Sequence, residues 1–319
     1  MSAHKKAKGG DQPKDDLKEA LIRAFEASET TREPEPEEQG GGVQLELPYF
    51  DDAHVLPNSL LRSAMFPAID SKKERPYLEK HPIFSVGSLE IVFTGRQFDQ
   101  WDLDVLAAVI DFGTRTATPL GEVFQFSGYA LLKHMGKVPG GRQYEALLAS
   151  LLRLNQGQIL IKAGTRRFFG SLVEGGIGDD ATQVYQVRLN GSLGALFGLH
   201  MWSRVDRDQR RALGKNGTAK ALHGYYSSHA DPLPHRYPTL AQIAGLHAKR
   251  SHTVKRSLIK AHEALQKVGF LDSFNPGPTT IEIIKCHETP SQQRHRARKK
   301  VRALRLPASR QDSSLHPSK

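Results

Sequence analysis

Apolar residues recur once per helical turn in several separate stretches, and short alternating runs lie between them. From Gln100 to Phe112, Trp101, Val105, Val109 and Phe112 fall on one face, which predicts a helix. A short strand is expected at Val123 to Gln125, followed by a helix capped by Ser127 that runs through His134 and ends at Gly136. Gly140-Gly141 precede a third helix, where Tyr144, Leu147, Leu148, Leu151 and Leu152 form one apolar stripe. Strand-like runs follow at Gln158 to Lys162, Arg167 to Val173 and Gln183 to Leu189, with a glycine-rich turn from Gly175 to Asp180 before the last. Gly191 to Gly198 reads as a short closing helix.

The plan then repeats. Arg207 to Ser228 reads as a helix broken near Gly214 and Gly217, and Thr239 is the expected N-cap of a helix carrying Leu240 and Ile243. A helix from Ser251 places Val254, Leu258, Ala261, Leu265 and Val268 on one face and stops at Gly269. Two strands close the unit, Phe270 to Phe274 and Thr280 to Ile284, joined by Asn275-Pro-Gly-Pro. Helices followed by a β-ribbon describe a winged helix. The expected fold class is α+β, with two tandem winged-helix domains (helix-turn-helix plus β-ribbon) at 85–200 and 201–290. A linker or docking segment is expected at 43–84, a disordered acidic arm at 1–42 and a basic disordered tail at 291–319.

Charge narrows the class of partner. The chain has 45 Lys and Arg against 34 Asp and Glu, a formal net charge of +11, which favours a polyanion. The arm before residue 43 is acidic, so the basic excess lies in the remainder, and Arg294, Arg296, Arg298, Lys299, Lys300 and Arg302 crowd the far end. No apolar run approaches the ~20 residues that span a bilayer, and no signal peptide opens the chain, so no membrane association and a cytoplasmic location are expected. The single cysteine, Cys286, excludes an internal disulfide and a CxxC metal site, and is expected as a small buried side chain on a late strand.

A helix-turn-helix offers the N-terminal end of its second helix to the major groove, so cations should gather there. In the second unit Lys249, Arg250, His252, Thr253, Lys255, Arg256 and Lys260 do so. Arginine and lysine match guanine edges, and a helix N-terminus favours a phosphate. The corresponding residues of the first unit are Arg142, Gln143, Ser150 and Arg153, with Lys162, Arg166 and Arg167 on the ribbon.

Enzyme signatures are weak. Gly214-Lys-Asn-Gly-Thr lacks the upstream glycine of a phosphate loop, since Gln209 stands there. His223-Gly-Tyr-Tyr-Ser-Ser-His229 pairs tyrosines with histidines without the His-x-His of metal-dependent nickases, and packing is its expected role. No enzyme, no metal and no cofactor are expected.

Three segments together resemble the TrfA family of plasmid replication initiators: Leu56-Pro-Asn-Ser-Leu-Leu-Arg-Ser-Ala-Met-Phe, Gly95-Arg-Gln-Phe-Asp-Gln-Trp-Asp-Leu-Asp-Val and Gly140-Gly-Arg-Gln-Tyr-Glu-Ala-Leu-Leu-Ala-Ser-Leu-Leu-Arg-Leu. The similarity runs from about residue 43 to 290. It implies two winged-helix domains on double-stranded DNA, binding direct repeats (iterons) at a plasmid origin and assisting its opening. It further implies recruitment of the host proteins DnaA, DnaB helicase and the sliding clamp, with self-association to a dimer as a control. Gln44, Leu45 and Leu47 in Gln44-Leu-Glu-Leu-Pro resemble a clamp-docking peptide, although Pro48 replaces its aromatic residue. The rival reading is a winged-helix transcriptional regulator bound to an inverted repeat.

Overall fold

The computed structural model describes residues 47–69, 74–164, 166–198, 201–230, 234–246 and 251–287. The expected acidic arm (1–42) and basic tail (291–319) lie outside the described residues. The fold is mixed α/β, and its strands pair antiparallel. Two hydrophobic cores organise it, one spanning Val55 to Val205 and one Leu213 to Ile283.

The first core is built around α2 (Gln100–Arg115). Asp99 caps this helix, accepting from the backbone N–H of Trp101 and Asp102, while Asp102 returns a bond to the Asp99 N–H. β4 (Val123–Ser127) leads into α3 (Gly128–His134), where Ser127 accepts from the Ala130 N–H at 3.1 Å. α4 (Gly141–Gln156) follows, then β5 (Gln158–Ala163), β6 (Arg166–Gly170), β7 (Val173–Asp179) and β8 (Val184–Leu189). A 3-10 turn at Gly191–Phe197 closes the run, as expected.

The expected ribbon is divided between two sheets. β7 and β8 join β4 in the order β4-β8-β7, whereas β5 and β6 join β2 (Tyr77–Ile83) and β3 (Leu89–Arg96) in the order β2-β3-β5-β6. The glycine-rich stretch is a strand where a turn was expected. A Cβ on Gly176 would lie 2.4 Å from the Gln186 carbonyl oxygen, so glycine is what lets β7 pair closely with β8. The turn lies just after it, where the Asp179 carboxylate accepts from the N–H groups of Ala181 and Thr182.

The expected linker at 43–84 also needs correction. β1 (Ala53–Pro57) is buried at all five positions and pairs with β9 (Trp202–Asp206). The short helix α1 (Asn58–Leu61) buries Leu60 and Leu61, and Met65 and Phe66 beyond it are 2% exposed. Burying such side chains stabilises by roughly 1.5–3 kcal/mol each, so this segment is part of the first core.

The second unit runs α5 (Arg207–Ala212), α6 (Gly217–Ser227), β10 (His235–Arg236), α7 (Tyr237–Ala244), α8 (Ser251–Lys267), β11 (Leu271–Pro276) and β12 (Thr280–Lys285), of which α6, α7, α8, β11 and β12 supply the second core. The break between α5 and α6 falls where the two glycines predict it. α7 begins two residues before the expected cap at Thr239, because Pro238 fixes its first turn. The strand order is β10-β12-β11. From α2 in the first unit and α6 in the second, the chain runs through a short strand and two helices to a closing pair of strands, with β5 and β6 interposed in the first, and in each the last strand pairs between the other two. Cys286, expected buried, is exposed just beyond β12.

Candidate nucleic-acid interface

In the second unit α8 buries Leu258, Ala261, His262 and Leu265. Residues four and three apart on the opposite side are exposed: His252, Arg256, Lys260, Glu263 and Lys267. The first turn carries no acidic residue to offset the positive end of the helix dipole. Of the seven residues expected to contact DNA here, His252, Arg256 and Lys260 share this outward face. Thr253 is half-buried beside His252. Lys255 turns to the β11–β12 hairpin, donating to the Gly277 carbonyl at 3.2 Å and lying 4.9 Å from the centre of the Tyr237 ring. Lys249 and Arg250 lie outside the described residues.

In the first unit the expected residues do not gather. Arg142 is exposed and Gln143 half-buried at the start of α4. Ser150 is fully buried and donates to Asp102 Oδ1 at 2.6 Å. Arg153 Nη2 reaches the same oxygen at 2.7 Å, and Arg75 Nη1 holds Oδ2 at 2.9 Å. The buried seam of α4 is Leu147, Ser150, Leu151 and Leu154, rotated by about one residue from the stripe expected from apolar spacing. The cause is Asp102, itself fully buried on α2, which draws a hydroxyl and a guanidinium inward and leaves Leu148 and Leu152 exposed. Lys162 and Arg167 are directly opposed on β5 and β6, and Lys162 pairs with Glu90 at 3.1 Å on the surface. Arg166 opposes Ala163 on the same two strands.

Of the expected clamp-docking residues, Gln44 and Leu45 lie outside the described residues. Leu47 packs on the first core and lines a cavity of about 180 Å³ with Ile110, Phe124 and Leu189.

Apolar periodicity overlooks three aspartates on α2. Asp104 binds Arg210 at 2.6 Å and Lys220 at 2.5 Å, which joins α2 to α5 and α6. Burial would raise its carboxyl, but Arg210 and Lys220 more than offset this and hold it below the usual range. Asp111 accepts from His54 at 2.8 Å and His134 at 2.7 Å, with Arg207 3.7 Å away. Among the described residues this is the one group of His and Asp close enough to suggest a metal. Its N···O distances are those of hydrogen bonds, whereas a tetrahedral zinc holds its ligand atoms roughly 3.3 Å apart. Arg207 also supplies the balancing charge, so the trio is complete as a hydrogen-bonded network. The signal for all three is an aspartate set into an otherwise apolar helix, since each such carboxylate requires a partner.

Tyr225 and Tyr226 are buried at 1% and 0% exposure, packed among histidines. Tyr226 Oη lies 2.8 Å from His262 Nε2, and Tyr225 Oη 3.3 Å from His235 Nδ1. Burial pushes the Tyr225 hydroxyl up to about 12 and that of Tyr226 well above its ordinary value.

No helix among the described residues is long and apolar enough to cross a membrane. Domains 2 and 3 of RctB resemble the chain with a TM-score of 0.45 at 11% identity, covering 71% of it and 96% of that structure. The Pi initiator protein in complex with iteron DNA gives 0.45 at 11% identity, over 57% of this chain and 90% of that one. A plasmid replication initiator protein TrfA from Escherichia coli is 26% identical over 241 residues, which span 72% of this chain and 62% of the relative. The family model described as TrfA protein matches residues 37–276, well over half of the sequence. The chain belongs to the TrfA family.

Proposed function

We propose that this chain is a plasmid replication initiator that binds direct repeats at a plasmid origin through two winged-helix units. The observation that carries the reading is the outward face of α8. There His252, Arg256 and Lys260 stand exposed over an apolar seam and form no ion pair among the described residues, in a chain whose E. coli relative is named a plasmid replication initiator. In this reading α3–α4 and α7–α8 are the helix-turn-helix pairs, and β7–β8 and β11–β12 are the wings. The second unit reads bases through α8, with Lys249 and Arg250 at its approach. The first contributes Arg142 and the Lys162–Arg167 strand pair to backbone contacts.

The mechanism uses binding energy to distort an adjacent segment, without covalent chemistry. The burial of Tyr225 and Tyr226 supports this, because a nucleophilic tyrosine must reach its phosphate. DnaA, DnaB helicase, the sliding clamp and a second copy of the chain are the proposed protein partners in the cytoplasm. Clamp docking through Gln44 and Leu45 requires Leu47 to leave its cavity. A Gln44→Ala, Leu45→Ala variant should therefore lose clamp pull-down.

Footprinting of the DNA flanking the gene, at two salt concentrations with excess competitor, tests the proposal. Regularly spaced protection of direct repeats is expected. Protection of a single inverted repeat at a promoter would replace it with the regulator reading, and featureless salt-sensitive binding would end both. At the repeats, Arg256→Ala should cost about 1–3 kcal/mol of binding.

A further inference from the structure

The carbonyl of Gly277, in the turn between β11 and β12, accepts two hydrogen bonds from outside its own hairpin. Tyr237 Oη donates at 2.9 Å and Lys255 Nζ at 3.2 Å. The Lys255 ammonium also lies 4.9 Å from the centre of the Tyr237 ring, within the range of a cation–π contact. Tyr237 is 9% exposed and opens α7, and its backbone N–H donates to the Thr279 carbonyl at 3.2 Å. Inside the hairpin, the Gly277 N–H donates to the Thr280 carbonyl at 2.9 Å. One carbonyl thus ties together the start of α7, the second turn of α8 and the tip of the hairpin.

A lysine engaged in this way differs from Lys260, whose side chain stands on the exposed face of the same helix. We propose that Lys255 is a positioning residue which, with Tyr237, holds the β11–β12 turn in fixed register with α8, and that it does not itself contact a phosphate. The inference rests on α8 being the DNA-reading helix. If helix and turn must engage the duplex together, a turn anchored beforehand spares the complex the entropy of ordering it.

Two measurements test this on the full chain. The first needs no DNA. Amide exchange at Gly277 should accelerate in both Lys255→Met and Tyr237→Phe, while Lys260→Met leaves it unchanged. The second is affinity against salt concentration, on a footprinted repeat and on random duplex. Lys255→Met and Tyr237→Phe should each weaken repeat binding roughly five-fold, the value of about one hydrogen bond, with the salt slope unchanged. Lys260→Met should lower that slope by about one. Unchanged exchange in Lys255→Met overturns the proposal, as does a slope that falls as it does for Lys260→Met. A wild-type protein that fails to prefer the repeat overturns the initiator reading instead, and the exchange result still decides whether the anchor exists.

Discussion

At the scale of single residues, α2 is defined by three carboxylates that face inward. Asp102 and Asp111 are 0% and 4% exposed, and Asp104 is 7%. A buried carboxylate left unpaired costs several kcal/mol, so each gathers cations or ring N–H groups from distant parts of the chain. Removing one partner of such a network leaves the others stranded. Asp104→Ala would leave Arg210, 2% exposed, and Lys220, 5% exposed, without their counter-ion. A loss of about 3–5 kcal/mol is expected, read as a lower urea midpoint at unchanged m-value. That these aspartates need partners is legible in the sequence, because they interrupt an apolar helix. Which partners they take is not, because Ser150 and Lys220 lie 48 and 116 residues away from the carboxylates they hold.

At the scale of elements, α8 and α4 differ in how far apolar spacing determines the buried face. In α8 the expected stripe and the seam agree at Leu258, Ala261 and Leu265, and His262, buried with them, bonds Tyr226 Oη at 2.8 Å without rotating the face. In α4 Asp102 rotates the seam, so Leu147 is 0% exposed and its neighbour Leu148 38%. Leu147→Ala should therefore cost about 2–5 kcal/mol and Leu148→Ala less than about 0.5, where spacing alone ranks them equal. Denaturant titration of the two variants decides between the faces. The end of α7 makes a different demand. Gly245 has φ +67, and a Cβ there would lie 2.2 Å from the Pro67 Cβ. Gly245→Ala combines left-handed strain with overpacking, and a loss of about 3 kcal/mol is expected in the same assay. Strands were less legible than helices for a physical reason. β2 carries Pro82, is largely exposed and has Lys80 at φ +44, so it shows no alternation. β1 is buried on both faces, and its partner β9 follows it by about 150 residues.

At the scale of the molecule, the two units share a strand order that local signals anticipated as a repeat of helices and strands, while the sheet β2-β3-β5-β6 belongs to the first alone. The second core has a further property that acts on the whole chain. It shelters His223, His229 and His235, whose ring titrations burial pushes down to about 3, 4 and 4 from an ordinary 6.5. Each is neutral in the folded chain at pH 5, whereas each binds a proton once the chain unfolds. The unfolded state therefore takes up more protons below pH 6.5, and stability must fall as pH falls through the window from about 6.5 to 4. Each histidine contributes up to about 1.4 kcal/mol per pH unit there. Above the window all three are neutral in both states and contribute no slope. Urea midpoints should thus be flat above pH 7 and drop steadily between pH 6.5 and 4.5. His223→Gln, which removes the fully buried member, should reduce the slope by about one proton. A midpoint independent of pH across that interval would mean that the histidines are charged within the fold, which their burial beside Arg210, Lys220 and Arg62 opposes.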